Sequence, residues 1–219
     1  TAPTEIYTLS LHDALPISTV GKKSSSSPGA YALKICPDLV KGLEKCVSRG
    51  IIVTCGTNGK TTTNNLMASA LEAKGYKVIC NKLGANMLSG IATTVLQEMS
   101  IFGKLKADYA CLEIDEAYTP IVFDYVKPDV MVITNLFRDQ LDRYGEIDIT
   151  SDIIKRAIKK VPNLKLVLNG DDPLCVQFGR EENVKAYYYG ISEKVLPQLD
   201  DTKEGRFCPV CGEELKYNY

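Results

Sequence analysis

Short apolar runs alternate with longer stretches of helical periodicity along most of the chain. Residues 51–55, IIVTC, and 129–134, DVMVIT, are almost continuously apolar, a pattern typical of strands buried on both faces of a sheet. Between such runs apolar residues recur at helical spacing, as in residues 61–74, which Gly75 follows. The predicted strands are 51–55, 77–80, 109–114, 129–134 and 165–168, and the predicted helices are 61–74, 89–99 and 151–161. This succession predicts an α/β fold, a mostly parallel sheet flanked by helices.

The N-terminal stretch does not share this pattern. Residues 1–18, TAPTEIYTLSLHDALPIS, lack the basic start and the apolar core of a signal peptide and resemble a translated sequencing adapter. We therefore expect a non-native leader that takes no part in the fold. His12 lies in it and is the only histidine of the chain, so the remainder has no histidine for metal binding or acid–base chemistry. Residues 21–29, GKKSSSSPG, predict a Ser-rich basic linker.

Composition and charge narrow the class of protein. The 219 residues are 45% hydrophobic and 24% charged, as in ordinary globular proteins. The net charge of -1 provides no overall field that favours nucleic acid or an anionic membrane surface. No apolar run approaches the ~20 residues that a membrane-spanning helix needs.

Cysteine usage indicates the redox compartment. The sequence has 8 cysteines. Three of them, Cys55, Cys80 and Cys111, lie in or beside apolar runs, and three others, Cys36, Cys46 and Cys175, are isolated. All six are predicted to be small apolar side chains without a bonded partner. Only Cys208 and Cys211 have the spacing of a chelating pair. This usage predicts a reducing, cytoplasmic setting.

The strongest candidate for chemistry is the segment 51–63, IIVTCGTNGKTTT. A loop of small residues between a buried strand and a helix directs several N–H groups to one point, and the helix dipole adds partial positive charge there. The segment therefore predicts a site for the phosphates of ATP, with Lys60 on the β- and γ-phosphates and the Thr61 hydroxyl on Mg²⁺. The other predicted contacts are Gly56, Thr57, Asn58, Gly59 and Thr62. Thr54 stands where the general motif has glycine, and a chance glycine-rich turn is the alternative that the flanking strand and helix disfavour.

An acidic segment follows a later predicted strand. In residues 108–116, DYACLEIDE, the strand ends in a carboxylate, which is where a phosphate-binding α/β fold places a metal ligand. Glu113 is the first candidate for Mg²⁺ and Glu116 the second. For Asp115, a solvated acidic turn is an equally good interpretation.

Two more polar segments follow strands. Residues 134–144, TNLFRDQLDRY, and 167–173, VLNGDDP, are ordinary loops when taken alone. Following a phosphate loop and an acid-tipped strand, the first of them is better interpreted as part of the same site at one edge of the sheet. Its candidate residues are Asn135, Arg138, Asp139, Gln140 and Asp142. The second is a weak signal in isolation.

The order and the amino-acid sequences of these segments resemble the motifs of the Mur ligase family. GTNGKTTT is similar to that family's phosphate loop, LEIDEA to its metal-binding acidic segment, TNLFRDQLDRYGE to its Asn…Asp-His-Leu-Asp segment and NGDDP to its Asn-x-Asp-Asp turn. The subgroup that amidates lipid II also shares SSSSPGAYALKI, NKLGANMLSGIAT and an inserted Cys-rich ribbon. The resemblance covers about residues 24–219.

The resemblance implies an ATP-dependent carbon–nitrogen ligase of peptidoglycan biosynthesis. Such a subunit phosphorylates the α-carboxylate of D-glutamate in lipid II, and ammonia then converts the acyl phosphate to D-isoglutamine. The ammonia comes from glutamine through a partner glutaminase of the GatD type. Carried over to this chain, Lys60 and the loop backbone hold the phosphates, Thr61 and Glu113 hold Mg²⁺, and Asn169 lies near the adenine.

Two positions depart from the common family pattern. Gln140 stands where many members have a metal-binding histidine. Ile154, with Lys155 beside it, stands near the place of the family's carbamylated lysine. Members of the lipid II-amidating subgroup tolerate both changes.

The sequence Cys208-Pro209-Val210-Cys211-Gly212 is half of a zinc ribbon, since a structural zinc site takes four ligands. The expected order is a leader at 1–18, a linker and N-terminal segment at 19–48, the central ATP-binding domain at 49–205 and the first half of the ribbon at 206–219. We expect the chain to be a front portion, unable to amidate lipid II by itself.

Other functions remain open. Another Mur-type amino-acid ligase or a relative of folylpolyglutamate synthase would share the phosphate loop, although the half ribbon and Gln140 count against both. A zinc-ribbon module that binds nucleic acid would need a basic aromatic patch, which the near-neutral chain lacks. A glutaminase-like neighbouring reading frame would favour the amidating subgroup.

Overall fold

The computed structural model describes residues 26–82, 84–100, 104–136, 146–180, 184–191, 208 and 211–215. Strands β1 to β6 span Val47–Cys55, Val78–Cys80, Ala107–Glu113, Val130–Ile133, Lys165–Asn169 and Lys185–Tyr189. Helices α1 to α6 span Ser27–Ile35, Lys60–Ala73, Leu88–Glu98, Thr119–Tyr125, Glu146–Lys159 and Pro173–Val176. Short 3₁₀ turns lie at Leu43–Lys45, Glu116–Tyr118 and Gln177–Arg180.

Within the described residues the strands form one sheet in the order β2-β3-β1-β4-β5-β6, and every pairing is parallel. Strand β1 is central, because the chain places β3 on one side of it and β4 on the other. The carboxyl end of β1 is therefore the point where the strand order reverses, the usual position of a ligand site in such sheets. The register sets Glu113 beside Thr54 and Ile133 beside Cys55, so the ends of both neighbours flank the loop that follows β1.

Successive side chains of the strands point to opposite faces of the sheet, and each face packs against its own apolar layer. On β3, Cys111 packs with Ala68 of α2 and with Val78, whereas Ala110 and Leu112 belong to the larger cluster on the other side. All five side chains are buried. Helix α2 thus covers one face over β1, β2 and β3, and this packing fixes its first turn at the sheet edge.

Helix α1 packs unusually closely on α3 through Gly29. A Cβ added at Gly29 would lie 2.0 Å from the Ser89 carbonyl oxygen and 2.5 Å from Thr93 N, so only glycine allows this approach. The Gly29 N–H donates to Thr93 Oγ1 at 2.9 Å, which supplies a partner for the first turn of α1. The prediction of a linker over residues 21–29 is therefore wrong at its end. Ser27, Pro28 and Gly29 are helical, and residues 21–25 lie outside the described part.

The predicted α/β fold is confirmed, with changes at the boundaries. Helix α5 begins at Glu146 rather than at residue 151, and β3 begins at Ala107 rather than at residue 109. The elements α1, α4, α6 and β6 were not predicted. Among the described helices, none combines the length and the apolar character needed to cross a membrane.

Candidate active site

The loop after β1 turns sharply into α2 through two glycines. Gly56 has φ 127° and Gly59, the N-cap of α2, has φ 79°, and both values favour glycine. A side chain at Gly56 would also lie 2.3 Å from Thr134 Oγ1, so the loop fits closely against the end of β4. No side chain caps α2. Its first N–H groups, which lack carbonyl partners within the helix, are therefore available to an anion at this edge.

The segment after β4 braces the loop by several hydrogen bonds. Asn135 Oδ1 accepts from Asn58 N at 2.9 Å, and Asn135 Nδ2 donates to the Asn58 carbonyl at 3.0 Å. Thr57 N donates to the Asn135 carbonyl at 2.8 Å, and the Thr134 hydroxyl donates to the Asn58 carbonyl at 2.7 Å. The amides of Thr57 and Asn58 are thus used to shape the loop. Asn135, predicted as a nucleotide contact, holds the loop in this structure.

Lys60 is the first residue of α2, and its side chain folds back over the loop. Its Nζ donates to the carbonyls of Gly56 at 2.6 Å and Thr57 at 3.2 Å. It also lies 3.1 Å from Glu116 Oε1, and that same oxygen accepts from Gly56 N at 2.9 Å. Both side chains of the ion pair are only 15% exposed. A carboxylate oxygen is therefore bound by a lysine and a loop amide, the kinds of donor that bind phosphate oxygens.

Glu113 ends β3 with a buried carboxylate, since the residue is 2% exposed. Asn81 fixes its backbone, because Asn81 Oδ1 accepts from Glu113 N at 2.8 Å and Asn81 Nδ2 donates to the Glu113 carbonyl at 2.8 Å. Glu113 Oε2 has no hydrogen-bond partner among the described residues, and Asn86 Nδ2 is 3.5 Å from Oε1. A buried carboxylate oxygen without a partner is costly unless a cation or a donor satisfies it.

Gly84 marks the point at which two predicted metal ligands converge. The position of a Cβ on Gly84 would lie 3.5 Å from Thr61 Oγ1 and within 4.0 Å of both oxygens of Glu113. A hydroxyl and a carboxylate therefore face one small space. Mg²⁺ binds oxygen ligands of this kind in proteins, and it usually takes only one or two of them, while water and phosphate oxygens fill its other coordination positions. The residues present therefore fit Mg²⁺ beside the phosphate loop.

The turn after β5 is tied to the segment after β4. Asn169 Nδ2 donates to the Thr134 carbonyl at 3.0 Å, and Asn169 Oδ1 accepts from Asp171 N at 3.0 Å. Asp172 caps α6 by accepting from Leu174 N and receives a second hydrogen bond, at 2.7 Å, from Leu136 N. Asn169 thus stands at the sheet edge where the sequence placed it, with its amide bonded to the protein.

The cysteines near the site are unreactive because burial keeps their thiols neutral. Cys55 is fully buried beneath the loop, and burial is the first cause of its raised pKa, with Glu116 adding to it. Burial raises the pKa of Cys111 to about 12 and that of Cys80 to about 11. All eight cysteines are free thiols, which agrees with the prediction made for the six outside the Cys208–Cys211 pair. Neutral thiols of this kind are poor nucleophiles, so we assign none of these three a part in catalysis.

Cys208 and Cys211 lie on a tight turn. The Gly212 N–H donates to the Cys208 carbonyl at 2.9 Å, and Cys208 N donates to the Glu213 carbonyl at 2.8 Å. Within the described residues no group of three or more His, Cys, Asp or Glu side chains is placed to hold a metal ion. A structural zinc site takes four ligands, so these two thiols alone do not form one within the described part of the chain.

Several predictions lie outside the described residues: the leader at 1–18, the candidates Arg138, Asp139, Gln140 and Asp142, and most of the ribbon segment. Ile154, which the resemblance places near the family's carbamylated lysine, is fully buried in the core, and Lys155 is half-buried. The structural roles of Asn81, Asn86 and Gly84 were not predicted from the sequence. Their signal in the sequence is the polar loop NKLGAN, which follows a predicted strand.

A family model described as the Mur ligase middle domain matches residues 53–215. The match covers the phosphate loop, Glu113, the segment after β4 and the NGDDP turn. The chain therefore belongs to the Mur ligase family, which confirms the resemblance drawn from the sequence.

Particular relatives within the family can be named. The chain is 38% identical over 200 residues to the MurT subunit of lipid II isoglutaminyl synthase from Staphylococcus aureus, covering 91% of this chain and 44% of that protein. It is 39% identical over 203 residues to the MurT subunit from Streptococcus pneumoniae, covering 93% and 44%. The chain thus spans less than half the length of these curated relatives.

Solved structures agree in fold. MurF from Acinetobacter baumannii superposes with a TM-score of 0.57 at 18% identity, covering 72% of this chain and 34% of that one. MurF from Thermotoga maritima, solved in complex with ADP, gives 0.56 at 20% identity, covering 75% and 37%. At such identities the likeness supports the sheet and its helices, not a substrate.

Proposed function

We propose that the chain is the nucleotide-binding part of a MurT-type subunit that uses ATP to amidate lipid II. The observation that carries the nucleotide assignment is the position of Lys60 over the loop after β1, together with the approach of Thr61 and Glu113 to one point beside Gly84. The observation that favours the amidating subgroup is the 38–39% identity to two MurT subunits. Amino-acid-adding relatives of the same family are 27–32% identical over 65–86% of this chain, a smaller part in every case.

In this proposal the first turn of α2 and the Lys60 ammonium bind the ATP phosphates. Catalysis of phosphoryl transfer is mostly positioning and charge neutralisation. A lysine held at a helix N-terminus contributes to both at the phosphates. Thr61 and Glu113 would hold Mg²⁺, which supplies positive charge to the phosphates when bound. Glu116, the second candidate Mg²⁺ ligand, is paired with Lys60 in this structure and is therefore the less suitable of the two carboxylates for binding the metal. Asn169 would border the adenine.

The substrate carboxylate is the α-carboxylate of D-glutamate in lipid II. One of its oxygens attacks the terminal phosphorus of ATP, the bond to the bridging oxygen breaks, and ADP leaves. Ammonia from a GatD-type glutaminase then attacks the acyl carbon, phosphate departs and the nitrogen loses a proton, which leaves D-isoglutamine. The lipid II and glutaminase contacts are assigned to the remainder of a complete MurT-type subunit. We propose as well that Cys208 and Cys211 supply two ligands of a structural zinc site in such a subunit.

Amidation is tested with this chain and with a version extended to the length of its MurT relatives. Each is mixed with a GatD-type glutaminase, ATP, lipid II and glutamine labelled with heavy nitrogen at its amide. Mass spectrometry of lipid II should show labelled amide with the extended version and none with the chain alone. Ligation of an amino acid instead would assign an ordinary Mur ligase activity, and the absence of both products from a folded extended version would contradict the proposal.

A further inference from the structure

Glu116 occupies the cationic centre of the phosphate loop. One of its oxygens receives hydrogen bonds from Lys60 Nζ at 3.1 Å and from Gly56 N at 2.9 Å. Lys60 is the residue that the proposed function assigns to the terminal phosphates. A phosphate oxygen bound by Lys60 would need the donor that Glu116 now holds, because two anionic oxygens brought to one ammonium also repel each other.

The backbone that carries Glu116 is held by several hydrogen bonds, so Lys60 would be released by a movement of the Glu116 side chain alone. Asp115 Oδ1 caps the short turn by accepting from Ala117 N at 3.0 Å, and Asp115 N donates to the Asn86 carbonyl at 3.0 Å. The Thr119 hydroxyl donates to the Glu116 carbonyl at 2.7 Å. A change of the Glu116 rotamer would then release Lys60 without rebuilding the sheet edge.

We propose that Glu116 is an internal substitute for phosphate: it neutralises and positions Lys60 until the terminal phosphate of the nucleotide displaces it. The inference rests on the proposed function, since it needs nucleotide at this loop. It assigns Glu116 a positioning role opposite to that of a metal ligand, because the carboxylate competes with the bound phosphate. Phosphate binding should then be tighter without the Glu116 charge.

The test compares Glu116→Gln with the unchanged chain in titrations with inorganic tripolyphosphate in the absence of divalent metal. Without metal, a loss of metal coordination cannot affect the result. We expect the variant to bind tripolyphosphate about tenfold more tightly, the effect of removing one competing charge-assisted contact. The matched control is Glu72→Gln, which removes an equally short pair, Glu72 with Lys82 at 3.0 Å, away from the loop and should leave the affinity unchanged.

The possible outcomes separate the alternatives. Unchanged or weaker binding by folded Glu116→Gln would overturn the inference, because a purely structural contact gives no gain in affinity when it is lost. If Glu116→Gln does not fold, Glu116→Asp, whose shorter side chain loosens the same contact, must show the same direction of change. If the unchanged chain binds neither tripolyphosphate nor an ATP analogue, the proposed function fails instead, and with it the site that this inference concerns.

Discussion

The side chain of Asn135 pairs with both backbone groups of Asn58, accepting from its N–H at 2.9 Å and donating to its carbonyl at 3.0 Å. This two-way contact fixes the middle of the phosphate loop from the end of β4. Asn135→Asp keeps the shape but places an oxygen against the Asn58 carbonyl, so the loop should lose order. We expect the affinity for a non-hydrolysable ATP analogue to fall by about 1–2 kcal/mol in a calorimetric titration. Asn163→Asp, at an exposed turn after α5, is the control.

Lys60→Ala removes the ammonium that the proposed function places on the phosphates and leaves the Glu116 carboxylate unpaired beside them. A charge-assisted contact contributes about 1.5–3 kcal/mol, so affinity for the ATP analogue should fall roughly ten- to a hundredfold. Lys82→Ala breaks the exposed pair with Glu72 and serves as the control. Equal affinities of Lys60→Ala and the unchanged chain would remove the phosphate assignment.

Glu113 and Glu116 should differ in how they affect metal dependence. Glu113 carries the buried oxygen without a partner and faces Thr61 across Gly84, whereas Glu116 is bound to Lys60. Glu113→Gln should therefore raise the Mg²⁺ concentration needed for half-maximal binding of the ATP analogue about tenfold, and Glu116→Gln much less. Titrating Mg²⁺ at fixed analogue measures both. The opposite ranking would show that Glu116 is the metal ligand.

Gly29→Ala should separate α1 from α3. The added methyl would lie 2.0 Å from the Ser89 carbonyl oxygen, a distance that forces the helices apart. Overpacking of this kind costs about 1–3 kcal/mol, which urea unfolding of the two proteins would measure. Ala30→Ser adds one atom at the neighbouring exposed position and should change stability little. If Gly29→Ala and Ala30→Ser unfold alike, the close approach of the helices is not part of the stable fold.

Alkaline pH should destabilise the sheet through Cys111. Burial raises the pKa of its thiol from 9.0 to about 12. The contribution of the neutral thiol to the stability of the fold is therefore fully present below pH 9.0 and is lost as the pH rises towards 12. Between pH 8 and pH 10 the free energy of unfolding should fall by about 1 kcal/mol more in the unchanged chain than in Cys111→Ala. Val78→Ala, in the same apolar cluster, keeps the thiol and should retain the full pH dependence. An identical drop in Cys111→Ala would contradict this assignment.

The sequence predicted the central strands because their apolar runs are strong and local. It missed α1, since Pro28 and Gly29 indicate a turn when read locally, whereas here proline occupies the first turn of a helix and glycine serves the contact with α3. It missed β6 because KAYYY has no buried alternation, and its residues are mostly exposed. Helix α4 was too short to show a period.

The candidate site was likewise predictable from the sequence only in part. Lys60, Thr61 and Glu113 were predictable, because a strand–loop–helix pattern and an acid at a strand end are local signals. The pairing of Asn81 with Glu113, and the reach of Glu116 to the loop, were not. Both join segments that become neighbours only when parallel strands are assembled, and no spacing within either segment indicates the other.

The pairings around the phosphate loop also determine when the site can appear during folding. Gly56 meets Glu116 across 60 positions of sequence, and Asn58 meets Asn135 across 77. Contacts of such separation form late, because the chain between them must be closed before they stabilise anything. The refolding chain should therefore acquire its affinity for nucleotide only after β3 and β4 have docked on β1. A bound nucleotide would then slow unfolding more than it hastens folding, which makes the ligand a source of kinetic stability.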